Sequence, residues 1–238
     1  MSSLDRLTVK IFADGADRAS MLDLSARPHI RGLTTNPTLM RKAGIANYRD
    51  FAKDILSAIT DKPVCFEVLA DDFAGMERQA VEIAGWGDNV YVKIPITNTQ
   101  GASCRALVER LADRQVKINV TAIMTLEQVQ DVISALNPAT AGYLSIFAGR
   151  IADTGVDPVP LMAKTVAMLK EHPNAELIWA SSREILNIFQ ADAIGCHAIT
   201  LTKDILGKLL LLDYDLTSYS LDTVRTLYED GRTAGFLL

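Results

Sequence analysis

Short apolar runs alternate with stretches of helical periodicity along almost the whole chain. The runs Thr8–Ala13, Ile30–Thr34, Pro63–Leu69, Asn89–Ile94, Val116–Thr121, Gly142–Phe147, Glu176–Ala180 and Ala198–Leu201 read as strands. Most are continuously apolar, not strictly alternating, which is the pattern of strands buried on both faces of a parallel sheet. Between them, Asn47–Ala58 sets Tyr48, Phe51, Ile55 and Ala58 on one helical face. Asp72–Trp86, Ala102–Asp113, Leu126–Ala135, Pro158–Glu171 and Ser182–Ala191 follow the same period. Thr125 with Gln128 predicts a capping box, and Asp71-Asp72 predicts a helix cap after the third strand. Loops gather the Asn, Pro and Gly: Asn36-Pro37, Asn137-Pro138, Gly155 to Pro160 and His172-Pro173-Asn174.

Eight strands alternating with helices predict an α/β chain folded as a single (β/α)₈ TIM barrel with extra C-terminal helices. An open doubly wound sheet is the structural alternative, but no GxGxxG motif opens a helix after the first strand. Residues 1–238 read as one domain, a length that buries enough surface without a metal or disulfide staple. Beyond Thr202 the repeat stops. The sequence predicts a helix over Asp204–Leu212, a loop around Asp213–Ser218 and a helix from Leu221 to Glu229. This 204–238 tail carries the apolar stretches Leu209–Leu212 and Ala234–Leu238, which a monomer rarely leaves exposed, so subunit contacts are expected there.

Composition narrows the partners. Formal net charge is −5 with both signs mixed and no basic stripe, so nucleic acid is not an expected partner. No uncharged run is long enough to span a membrane, and Met1 to Lys10 has no apolar signal core. Cys65, Cys104 and Cys196 are odd in number and widely spaced, as free thiols in a reducing, cytoplasmic compartment would be. His29, His172 and His197 are singletons without metal-ligand spacing, so neither a metal nor a cofactor is expected.

Polar residues cluster where the predicted strands end, which in a barrel is the catalytic face. In chain order they are Asp14, Thr34-Thr35-Asn36, Glu67, Lys93, Asn119 and Thr121, Ser145 and Arg150, then Ser181 and Arg183. Lys93 is the sharpest of these, because Asn89-Val-Tyr-Val-Lys-Ile-Pro95 buries it in an apolar strand. Desolvation penalises an ammonium, and a free amine can attack a ketone to form a Schiff base. A strand lysine whose head escapes to solvent, or pairs structurally with Asp14 or Glu67, is the competing reading.

The stretch Gly32-Leu-Thr-Thr-Asn-Pro-Thr38 resembles the Thr-Thr-Asn-Pro signature of the transaldolase family, and Val92-Lys-Ile-Pro95 resembles the strand bearing that family's Schiff-base lysine. Ala13-Asp14, Ile118-Asn-Val-Thr121, Ser145-Ile-Phe-Ala-Gly-Arg150 and Ala180-Ser-Ser-Arg183 fall in the family's order and spacing. The resemblance implies Lys93 as nucleophile and Asp14 as general acid/base at the C4 hydroxyl of the substrate. It implies that Glu67 and Thr121 hold a proton-shuttling water. Asn36, Asn119 and Ser145 would bind the dihydroxyacetone hydroxyls with support from Thr34. Arg150, Ser181 and Arg183 would bind a phosphate, as loops late in such barrels often do. Sugar phosphates are the implied substrates, and a homo-oligomer, pentamer or decamer, the implied assembly.

The same family contains fructose-6-phosphate aldolases, which by the same resemblance carry Gln at the Glu67 position and Tyr at the Phe147 position and differ in the Asn119 motif. Glu67, Phe147 and Asn119 together match the transaldolases, and Phe147 cannot donate a proton to release free dihydroxyacetone. Gly15-Ala16, Thr38 and Ser182 depart from the usual pattern, which leaves a specialised transaldolase for an unusual acidic sugar as an alternative. A non-enzymatic sugar-binding module is the alternative from another class.

Overall fold

A computed structural model of the chain describes residues 3–236, so Leu237 and Leu238 of the predicted apolar terminus lie outside the described residues. Eight parallel strands close a barrel in sequence order: β1 (Lys10–Asp14), β2 (Ile30–Thr34), β3 (Val64–Glu67), β4 (Val90–Pro95), β5 (Ile118–Ile123), β6 (Gly142–Ile146), β7 (Ala175–Trp179) and β8 (Ala198–Thr202), which pairs back onto β1. The fold is the (β/α)₈ barrel that the alternating pattern predicts.

Helices α1 (Arg18–Ser25), α2 (Pro37–Lys42), α3 (Tyr48–Ala58), α4 (Phe73–Ala84), α5 (Arg105–Asp113), α6 (Leu126–Ala135), α7 (Ala148–Asp153), α8 (Val159–Leu169) and α9 (Leu186–Ala193) connect the strands. Caps fix several of their starts. Thr125 and Gln128 form the expected capping box on α6, and Asp72 accepts from the Gly75 amide at the start of α4. Asp71 instead accepts from Thr99 across the β4–α5 loop. The predicted helix over Ser182–Ala191 begins only at Leu186, because Asn187 Oδ1 accepts from the Arg183 and Glu184 amides and holds that stretch as a loop.

The tail also differs from its predicted form. The helix expected over Asp204–Leu212 is α10 (Lys203–Gly207) followed by a 3₁₀ turn over Lys208–Leu211. The last helix, α11 (Leu216–Ala234), starts earlier than the predicted Leu221, since Asp215 accepts from the Ser218 amide and caps it. Among the described residues no helix is long and apolar enough to cross a membrane.

Two cores hold the barrel. The larger, between strands and helices, includes Ile30, Leu33, Ile55, Phe66, Ile94, Leu107, Leu144 and Trp179. The smaller fills the lumen, with Phe12, Cys65, Tyr143, Ile178 and Ala198 packed below the mouth. Phe12 meets Tyr143 edge-on with centroids 5.7 Å apart, and Tyr143 stacks on Tyr91 at 4.3 Å. Gly32 makes room for this floor: a Cβ there would lie 2.6 Å from the Phe12 ring. Aromatic packing therefore divides the lumen, with Lys10 and Glu176 below it and Asp14, Glu67 and Lys93 above it at the C-terminal end.

Candidate active site

A cavity of about 390 Å³ opens at the C-terminal end of the barrel. Its lining includes Asp14, Thr34, Asn36, Glu67, Lys93, Thr121, Ser145, Phe147, Arg150 and Ser181. These are all the site residues expected from sequence except Asn119 and Arg183. Parallel register explains the convergence, since Glu67 pairs with Lys93 and Lys93 with Asn119 in one row across β3, β4 and β5.

Lys93 is only 6% exposed. Its Nζ lies 3.1 Å from Glu67 Oε2 and donates to the Thr35 carbonyl at 2.9 Å. The ionic partner is thus Glu67, as one sequence alternative has it, and not Asp14, which the other names. Asp14, ending β1, has its Oδ1 sealed from solvent without a hydrogen-bond partner. Burial pushes its carboxyl up to about 6, partly opposed by the Lys93 charge and reinforced by that of Glu67. A carboxyl in that range can give or take a proton near neutral pH. The hydroxyls of Thr35 and Thr121 are likewise buried and unpartnered. Buried polar groups are ordinarily satisfied, so the unpaired Asp14 and Thr121 in the lining beside Lys93 mark a place built to meet something polar. Beside Thr121, β5 bulges between Val120 and Ile123 and Ala122 takes a left-handed φ of 62°, a distortion common next to active sites.

Asn119 lies beneath the cavity wall. Its Oδ1 accepts from Ser145 Oγ at 2.7 Å, and its amide contacts the buried Cys65 thiol, which burial pushes up to about 11. Asn36 caps α2 by accepting from the Leu39 amide at 3.0 Å, leaving its amide group for other contacts. Arg150, on α7, stacks over the Phe147 ring with its guanidinium carbon 5.1 Å from the centroid, and makes no ion pair among the described residues. Ser181 follows β7 with φ 64°. Arg183 lies behind it, outside the lining, bound to Asp153 and to Ser181 itself.

Sequence reasoning missed Thr200, which lines the cavity from β8. A lone Thr inside Ala198–Leu201 gives no sign of which way it faces when the whole run is apolar. A second cavity, of about 440 Å³ between α3 and α4, also touches Glu67, but its lining offers no lysine and its Arg49 is paired with Glu82. The chemistry belongs to the first cavity: a buried amine against a carboxylate, a second carboxyl poised near neutrality, hydroxyls and one uncommitted guanidinium at the rim. Such a set can form a Schiff base, move protons around it and hold an anion.

Known proteins resemble the chain over most of its length. The family model described as Transaldolase/Fructose-6-phosphate aldolase matches residues 11–234. A protein from Thermoanaerobacter sp. (strain X514) named "Probable transaldolase" is 33% identical over 232 residues, covering 95% of this chain and 99% of the relative. One of the same name from Nitrosopumilus maritimus (strain SCM1) is 32% identical over 218 residues, 90% of this chain and 92% of the relative. Among solved structures, a "putative phosphonomutase" from Burkholderia cenocepacia J2315 shares the fold alone, with TM-score 0.56 and 12% identity over 96% of this chain and 97% of that one.

Proposed function

Because the chain belongs to the transaldolase/fructose-6-phosphate aldolase family, we propose that it is a transaldolase using Lys93 as Schiff-base nucleophile. It would move a dihydroxyacetone unit from a ketose phosphate, such as fructose 6-phosphate or sedoheptulose 7-phosphate, to an aldose phosphate. The observation that carries this reading is Lys93 itself: buried, 3.1 Å from a carboxylate, and facing a cavity that also holds Asp14 and Arg150.

The residues suggest an order of events. Glu67 takes a proton from the Lys93 amine, which attacks the C2 carbonyl; loss of water, protonated through Glu67 and Thr121, leaves an iminium. Asp14 then accepts the C4 hydroxyl proton as the C3–C4 bond breaks, its electron pair passing into the iminium to give an enamine. The aldose phosphate departs, and the enamine attacks the next aldehyde as Asp14 returns the proton. Ser145, Asn36 and, from beneath, Asn119 hold the three-carbon unit. Arg150 and Ser181 face the phosphate, with Arg183 behind.

Phe147 favours transfer over simple release, since a phenyl ring at the cavity wall cannot protonate the enamine. Fructose 6-phosphate alone should turn over slowly and erythrose 4-phosphate should accelerate it. Borohydride with fructose 6-phosphate should add a reduced three-carbon unit to Lys93. A label on another lysine would overturn the Schiff-base assignment. Release of dihydroxyacetone as fast as its transfer would make the enzyme an aldolase.

We further propose a homo-oligomer, a pentamer or decamer, in a reducing cytoplasm. Helix α11 buries no residue and leaves Leu216, Leu221, Val224, Leu227 and Tyr228 exposed, an apolar flank that a second copy would cover. Light scattering that returned a monomer at micromolar concentration would overturn this.

A further inference from the structure

Arg183 is the hub of a hydrogen-bonded relay behind the cavity wall. Its Nε donates to Asp153 Oδ1 at 2.9 Å and its Nη2 to Asp153 Oδ2 at 2.5 Å, a bidentate fork. Its Nη1 donates to the Ser181 carbonyl at 2.6 Å and to the Ser181 hydroxyl oxygen at 3.1 Å. A guanidinium has five N–H groups, so these contacts leave one, on Nη2. The Ser181 hydroxyl, already accepting from Nη1, keeps its single hydrogen for another partner.

The backbone here is fixed by the same set. Ser181 sits in the left-handed region at φ 64°, which costs a non-glycine residue about 1–2 kcal/mol. Gly149 lets it approach, for a Cβ there would lie 1.7 Å from the Ser181 carbonyl oxygen. Asp153 ends α7, the short helix that also carries Arg150. One carboxylate therefore ties the loop after β7 to the helix bearing the uncommitted cation. Stability does not explain it: the Asp153 and Arg183 side chains are 54% and 42% exposed, and pairs that wet contribute little.

We propose that Asp153 is a positioning residue of the anion subsite. It neutralises Arg183 and locks its fork onto the Ser181 carbonyl and hydroxyl oxygens, so that the Ser181 hydroxyl presents its hydrogen to a ligand while Arg150 supplies the charge. Such a site selects a phosphate monoester by geometry. This rests on reading the cavity as a sugar-phosphate site.

The test compares wild type with Asp153→Asn, on phosphorylated and unphosphorylated ketose donors, and with inorganic phosphate as competitive inhibitor. Losing one charge-assisted contact predicts a rise of about tenfold in KM for the phosphorylated donor and in the phosphate inhibition constant. The kcat and the unphosphorylated reaction should be unchanged, and Asp153→Glu should recover part of the loss. In an Arg183→Ala background Asp153→Asn should add nothing. Equal losses on both donors, additive losses in the double variant, no loss, or a lowered KM from a freed guanidinium would each overturn the proposal. If wild type itself shows no preference for phosphorylated donors, the sugar-phosphate reading fails and this proposal falls with it. If that preference stands while Asp153→Asn leaves it intact, only the role of Asp153 is lost.

Discussion

The barrel contains two lysine–glutamate pairs, one at each end of its lumen, and they are built differently. At the N-terminal end Lys10 Nζ meets both oxygens of Glu176, at 2.7 and 2.8 Å, with the two side chains 42% and 27% exposed. At the C-terminal end Lys93 meets one oxygen of Glu67 at 3.1 Å, with 8% and 16% exposed. The wetter pair has the better geometry and the buried pair the poorer, the reverse of what stability favours, because a buried ion pair offsets its desolvation only with close, complete contacts. The surroundings repeat the contrast. Lys10 stands in a cavity floored by Tyr91 and Tyr143, which stack on each other, while Lys93 shares its cavity with the unpartnered Asp14 and Thr121. A buried amine with a loosely held carboxylate and an unpaired acid beside it suits a reaction site; a wet, closely paired lysine suits a structural one.

The largest effect that separates the two ends should come from exchanging the lysines for alanine. Lys93→Ala should abolish both transfer and borohydride labelling, because no other amine in the cavity lining can form the covalent intermediate. Lys10→Ala should leave both in place. Chemical labelling of intact protein by mass spectrometry reads this directly, and activity surviving in Lys93→Ala would erase the distinction.

Asp14→Asn comes next. Loss of a general acid/base should lower kcat by about 10²–10⁴-fold. Stability should move the other way. The Asp14 carboxyl is raised from 3.8 to about 6, so the folded state holds its proton more tightly than the unfolded chain does. The resulting penalty is absent below about pH 3.8, grows between 3.8 and 6 and is complete above 6, where it approaches about 3 kcal/mol as an upper figure. Asp14→Asn should therefore raise Tm at pH 7.5 and lose that advantage as the pH falls toward 4.5. Denaturation at a series of pH values checks it; a gain independent of pH would show that the buried carboxylate is not its source.

These contrasts were only partly legible in the sequence. All eight strands stand where apolar runs predict them, since parallel strands buried on both faces leave few other readings. The strand-end site residues other than Asn119 and Arg183 line the cavity because the (β/α)₈ repeat itself places strand ends at one mouth. Short helices were not legible: α7, of six residues, has no room for a helical period and Phe147 at its start makes no side-chain cap. That helix carries Arg150 and ends at Asp153, so the Arg183–Asp153 pairing, thirty positions apart, went unseen with it. The partner of Lys93 was narrowed to Asp14 or Glu67, both strand-end carboxylates, and only barrel register, with Glu67 opposite Lys93, separates them.

The smallest expected effect tests the quiet end of the comparison. Lys10→Met deletes a pair of good geometry but leaves Glu176 with 27% of its side chain in contact with solvent, so the orphaned carboxylate stays hydrated and no buried charge is stranded. Exposed pairs contribute about 0.2–1 kcal/mol, and the bidentate contact argues for the upper part of that range. Salt should shrink the difference, since at about 1 M the screening length falls to about 3 Å, comparable to the contact itself. Nothing in the mouth depends on this pair: the stacked tyrosines and Phe12 lie between. The expected outcome is a Tm loss of a few degrees at low salt, less at high salt, with kcat/KM unchanged. A fall in kcat/KM without further loss of stability would mean that the two ends of the lumen communicate through that aromatic floor, and the division into reaction site and structural pair would fail.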